Sequence, residues 1–102
     1  MKKPFFPFFS ASLEHKHEVA IMYFGRVSNS LVMTSERMVI PEGRFTLAQL
    51  LKTLRMRGTR WADELDDRHV ICSINGRTAA LSDTLAAGVE VEIFSSKSVL
   101  EI

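Results

Sequence analysis

Residues 45–58 carry a helix with both ends marked. Thr46 and Gln49 have the spacing of a capping box, Phe45 and Leu50 sit where a hydrophobic staple would be, and Gly58 stands just beyond the last turn. Leu47, Leu50, Leu51 and Leu54 fall at i, i+3, i+4 and i+7, one apolar stripe. A single stripe has a single face to bury, and the flanking segments alternate with a period of two, so the helix has a sheet to lie on. Lys52, Arg55, Arg57 and Arg60 gather toward its C-terminal end, where they match the helix dipole and read as a solvated face rather than a site for an acidic partner.

Before this helix, Val19, Ile21 and Tyr23 alternate with Ala20, Met22 and Phe24. A strand apolar on both sides belongs inside a sheet, with both faces covered. A turn over residues 25–30 leads into a second strand at 31–40, hairpinned onto the first and ended by Pro41-Glu42-Gly43. After the helix, Trp61 anchors a short helical turn at 61–65. Val70, Cys72 and Ile74 then alternate with Ile71 and Ser73 in a third strand. Asn75-Gly76 signals a tight hairpin into a short return strand at 77–80. Residues 81–85 form a compact connection, and 89–94 the last strand, with Val91 and Ile93 on the core side. The order strand, strand, helix, strand, short strand, strand predicts an α+β fold: a mixed sheet of four to five strands with one main helix packed on one face. The first and last strands are expected to be central neighbours. That is the order of the ubiquitin-like β-grasp.

A chain of 102 residues with 46% hydrophobic and 25% charged residues makes one small domain. We expect it at 18–95, preceded by a flexible Phe-rich arm at 1–17 and followed by a tail at 96–102. The arm begins like a secretion signal, but Pro4 and Pro7 interrupt its short apolar run. It could dock on its own sheet or mediate self-association. No stretch approaches the roughly 20 apolar residues of a membrane span. A net charge of +1 gives no electrostatic case for nucleic acid. The lone Cys72 shares the alternation of Val70 and Ile74, so it reads as a small core residue and fits a reducing, cytoplasmic setting.

Candidates for chemistry do not assemble. His15 and His17 have a His-x-His spacing and His69 opens a strand, but no cysteine or carboxylate cluster accompanies them to hold a metal. Asp63, Glu64, Asp66 and Asp67 read as a solvated loop. No phosphate loop or nucleophile–base arrangement is present, so neither an enzyme nor a cofactor is expected. What remains is a surface. Phe24 and Phe94 point away from Tyr23 and Ile93, hence away from the helix-covered core, and share the other sheet face if the first and last strands are neighbours.

Arg60-Trp61-Ala62-Asp63-Glu64-Leu65, the strand ending in Ile74-Asn75, residues 81–85 and Gly88-Val89-Glu90-Val91-Glu92-Ile93-Phe94 resemble the small subunit of molybdopterin synthase, of the MoaD/ThiS group. Tyr23-Phe24-Gly25 is similar to that family's opening strand, and the likeness covers about residues 18–98. The resemblance implies a protein cosubstrate or non-catalytic subunit. An adenylating enzyme activates its terminal glycine carboxylate, sulfur replaces the adenylate, and the thiocarboxylate enters the large synthase subunit. It also implies that the face bearing Phe24 and Phe94, with Thr78 on the return strand, packs against that large subunit. The family's Gly-Gly falls at Val99 and Leu100, with Glu101-Ile102 beyond. Glycine belongs there because a tail must thread a narrow channel without side chains or fixed φ angles. The expectation is therefore a relative of the sulfur carrier in molybdenum cofactor biosynthesis, divergent or inactive as a carrier. The alternative is a β-grasp interaction module without sulfur-transfer chemistry.

Overall fold

A computed structural model describes residues 17–97. Residues 1–16 of the expected arm, and 98–102 with Val99 and Leu100, lie outside the described residues. The elements run β1 (Glu18–Tyr23), α1 (Gly25–Leu31), β2 (Ser35–Val39), α2 (Leu47–Arg55), α3 (Thr59–Glu64), β3 (Val70–Ile74), β4 (Arg77–Thr78) and β5 (Glu90–Ser95). They build one five-stranded sheet in the order β2-β1-β5-β3-β4. The first and last strands are central neighbours and run parallel, whereas every other pair is antiparallel. This is the expected mixed α+β sheet.

α2 forms as its sequence predicts. The Thr46 hydroxyl accepts from the Gln49 N–H at 3.2 Å, and the Gln49 side-chain carbonyl accepts from the Thr46 N–H at 2.8 Å, closing the capping box. Leu47, Leu50, Leu51 and Leu54 are all fully buried against Val19, Ile21 and Tyr23 of β1, Cys72 of β3, and Val91 and Ile93 of β5. Each buried leucine contributes about 1.5–3 kcal/mol, so this one stripe is a large share of what holds helix to sheet.

The expected turn at 25–30 is instead the helix α1, and the second strand begins at Ser35 rather than at residue 31. Val27 and Leu31, four residues apart, enter the same core from one face of the helix. Arg26 donates to the buried Glu64 at 2.8 Å, tying α1 to α3. Val32 closes α1 in the left-handed conformation, φ 54° and ψ 50°, which breaks any continuous strand from 31.

The short return strand also ends early, at Thr78. The Asp83 carboxylate accepts from the Ala80 N–H at 2.9 Å, and the Asp83 N–H donates to the Ala80 carbonyl at 3.0 Å. That turn carries the chain away from the sheet. The expected turn at 61–65 is a helix that starts at Thr59, so α2 is the main helix and two short ones accompany it.

Side chains reinforce the backbone ladder that holds β2 to β1. The Tyr23 hydroxyl donates to Glu36 at 2.5 Å, and Arg57 grips the same carboxylate through two nitrogens at 2.7 and 2.9 Å. The Arg57 guanidinium lies 4.6 Å from the centre of Trp61, whose ring meets Tyr23 edge-on at 5.8 Å. Hydrogen bonds from Arg57 hold the Glu36 carboxyl below its ordinary pKa, and burial together with Glu36 pushes the Tyr23 phenol well above its own.

Among the described residues, β1 is covered on one side. Its helix-facing side is buried, but no described element covers its other side: Ala20 and Met22 are half-buried and Phe24 is 39% exposed. α2 lies on the opposite face, and none of the described helices crosses to this one.

Candidate functional site

The open face is assembled by register. Tyr23 pairs with Ile93 across the parallel β1–β5 ladder, so the next residues, Phe24 and Phe94, come side by side. Their rings stack with centroids 4.9 Å apart and planes 12° from parallel. The Phe24 N–H donates to the Ile93 carbonyl at 3.1 Å, which extends the ladder one residue past β1 and fixes the backbone under that ring. Across the antiparallel β5–β3 pair, Ile71 stands directly opposite Phe94 and is 47% exposed. Three neighbouring strands thus present a continuous apolar strip.

Beside the strip lies a carboxylate. Glu92 pairs with Met22 on one side and Ser73 on the other, and it is buried although it lies on the open face. It accepts hydrogen bonds from the Ser73 hydroxyl and, at 3.0 Å, from the Gly76 N–H. Burial opposes its ionisation, but these donors prevail and hold its carboxyl below the ordinary range. Gly76 reaches it through the Asn75-Gly76 turn, where both residues have positive φ (51° and 83°). The Asn75 side-chain carbonyl accepts from the Glu90 N–H at 2.9 Å, and the Asn75 N–H donates to the Glu90 carbonyl at 2.8 Å. The hairpin tip is thereby locked onto the start of β5.

Of the residues singled out from sequence, the structure brings Phe24 and Phe94 into contact. Thr78 is exposed opposite Ser73, so it shares the face but is separated from Phe94 by β3. Val99 and Leu100 lie outside the described residues. Ile71 and Glu92 were not anticipated. Their place depends on the β3–β5 register, and the only sequence signal for Ile71 was its position one residue out of step with Cys72.

The chain leaves β5 anchored. The Ser96 N–H donates to the His69 carbonyl at 2.8 Å, and the Lys97 ammonium donates to the Asp63 carbonyl at 3.1 Å and lies 3.4 Å from the Asp66 carboxylate. The departure point of the tail is therefore set by the loop between α3 and β3. Cys72 is buried and its thiol is pushed up to about 12 by burial, which leaves it protonated and unreactive at neutral pH. Among the described residues no group of three His, Cys, Asp or Glu side chains could hold a metal ion, and no helix is long and apolar enough to cross a membrane.

A five-stranded mixed sheet with its first and last strands parallel at the centre, a helix on one face and an aromatic strip on the other, defines a β-grasp protein. The chain belongs to the ThiS family, β-grasp sulfur carriers, whose model matches residues 12–96. Among solved structures it is similar to SAMP1 from Haloferax volcanii, with TM-score 0.64 and 22% identity over 79% of this chain and 97% of that one. It is also similar to a Pyrococcus furiosus protein described as a molybdopterin converting factor, subunit 1, with TM-score 0.65 and 23% identity over 76% of this chain and 95% of that one. The Haloferax volcanii HVO 2177 protein aligns over 95% of this chain and 99% of its own, with TM-score 0.67 and 16% identity. Likeness at these identities is likeness of fold. No curated protein sequence matches the chain.

Proposed function

We propose that this protein is the small, non-catalytic partner of a molybdopterin-synthase-type complex, docking on the large subunit through the face built by Phe24, Phe94 and Ile71, with Thr78 at its edge. The observation that carries this reading is the stacked, part-exposed Phe24–Phe94 pair. Two aromatic rings held rigid by a central ladder and left in solvent are what an interface anchor requires. Family membership supports the carrier class, and the name of the Pyrococcus furiosus neighbour supports the link to molybdopterin. Titrating the chain into a molybdopterin synthase large subunit tests it: saturable binding supports the reading, and no binding contradicts it.

Val99 and Leu100 favour a second reading, docking without sulfur transfer, because they stand where the resemblance places Gly-Gly. A β-branched valine and a leucine would obstruct a channel shaped for glycine. An adenylating enzyme of this pathway first joins the terminal carboxylate to AMP with release of pyrophosphate, and a sulfur donor then displaces AMP to leave a thiocarboxylate. Intact-mass measurement after incubation with such an enzyme, ATP and a sulfur donor separates the readings. A gain equal to one oxygen exchanged for sulfur on the natural chain establishes a carrier. A gain only on a variant with Val99→Gly and Leu100→Gly that stops at residue 100 means that the body is accepted by the adenylating enzyme while the natural tail takes no sulfur.

A further inference from the structure

The apolar strip runs into a charged half of the same face. Every second residue of β5 faces outward, so Glu90, Glu92 and Phe94 stand in one line about 13 Å long. Register sets Ala20 and Met22 of β1 on one side of the two carboxylates, and Ser73 of β3 on the other side of Glu92. Glu90 is exposed among these neighbours, whereas Glu92 is only 8% exposed.

Hydrogen bonding to Glu92 is one-sided. Both of its donors, the Ser73 hydroxyl and the Gly76 N–H, reach the same oxygen, Oε1. Its other neighbour is a second carboxyl: the Glu90 and Glu92 side chains share a hydrogen bond, which pushes the Glu90 carboxyl above its ordinary range. Two carboxyls in contact are best joined by a donor that carries positive charge. The guanidinium on this face, Arg37, is taken up by Glu18 at 3.6 Å.

Covering the face changes the balance. In the free protein, water and salt screen Glu90 and the exposed edge of Glu92. A partner that covers Phe24, Phe94 and Ile71 strips that water, and a carboxylate buried without a counter-charge is strongly unfavourable. Charge also sorts the occupants. Among the described residues this face carries Glu18, Glu90 and Glu92 against Arg37. A second copy of the chain would bring two net-negative faces together, and a nucleic acid or an anionic membrane would be repelled. A protein with a basic side chain beside an apolar pocket fits both halves.

We infer that the partner seated on the open face presents an arginine or lysine between Glu90 and Glu92, next to the pocket that takes the Phe24 and Phe94 rings. The rings supply adhesion and the carboxylate pair supplies register, because a partner shifted by one outward position along β5 loses its ion pair. This rests on the docking proposed above and adds the partner's charge to it.

Calorimetric titration of a molybdopterin synthase large subunit at low and at high ionic strength, with the natural chain, Glu90→Gln, Glu92→Gln and Phe94→Ser, tests the charge separately from the docking. Glu90 is exposed, so its substitution spares the core, and Glu92→Gln keeps a carbonyl acceptor for Ser73 and Gly76 while removing the charge. The natural chain is expected to bind more weakly as salt rises. Each glutamine variant should lose about tenfold in affinity at low salt and most of that salt dependence, whereas Phe94→Ser should lose affinity by the same factor at both ionic strengths. Glutamine variants that keep the natural affinity and salt dependence, or that bind more tightly, overturn the inference and leave the docking standing. Absence of binding by the natural chain at either ionic strength overturns the docking itself and the inference with it.

Discussion

Phe94 and Ile93 are adjacent in β5 yet do opposite work: Ile93 is fully buried between sheet and helix, whereas Phe94 stacks on Phe24 and is 39% exposed. Ile93→Ala should cost about 2–5 kcal/mol, the range for emptying a packed aliphatic site. Phe94→Ser should cost only about 1 kcal/mol, the loss of an aromatic pair at the surface. Chemical denaturation of the two variants checks the contrast. Equal losses would mean that the aromatic pair is structural.

The Tyr23 hydroxyl, the Glu36 carboxylate and the Arg57 guanidinium form one unit that holds β2 against the C-terminal end of α2. Glu36→Ala removes the acceptor for both donors and leaves a buried phenol unpaired, at an expected cost of roughly 2 kcal/mol. Tyr23→Phe in the Glu36→Ala background should then be nearly silent, because the donor that lost its partner is gone. A double-mutant cycle in urea measures this, and additive losses would show that the two groups are not coupled.

Acid should unfold the protein through identifiable groups. The carboxyls of Glu36 and Glu92 are held below their ordinary pKa. A depressed folded pKa gives stability that is fully present above the unfolded value and is lost as pH falls through the folded one. Melting temperature should therefore decline below about pH 4, the ordinary carboxylate range. Glu36→Gln should flatten that decline while lowering stability at neutral pH. An unchanged acid limb in this variant would show that Glu36 does not drive acid unfolding.

Val32 holds a left-handed backbone with its side chain 82% exposed, so it pays for its conformation with no burial in return. Val32→Gly should stabilise the protein by about 1 kcal/mol, raising the melting temperature by several degrees. A lower melting temperature would contradict the helix-ending role assigned to Val32.

The parts of the fold legible in the sequence are those with local signals. The capping box at Thr46 and the leucine stripe belong to one continuous segment, and Asn75-Gly76 is read from two residues. α1 was not legible, because Gly25 with Ser28, Asn29 and Ser30 looks like a turn. Only Val27 and Leu31, four residues apart, betray its buried side, and the core rather than propensity makes it a helix. At the site, Phe24 and Phe94 could be paired from sequence once β1 and β5 were placed side by side. Ile71 and Glu92 could not, because the β3–β5 register and the Gly76 N–H that meets the Glu92 carboxylate are set by contacts distant in the chain.

We propose that the Phe24–Phe94 face docks on a larger subunit. Calorimetric titration of a molybdopterin synthase large subunit with the natural chain and with Phe94→Asp tests it most directly. The expected result is binding by the natural chain and a loss of at least about 2 kcal/mol, or some 30-fold in Kd, for the variant, with its fold retained by circular dichroism. Equal affinity of the two chains would contradict it.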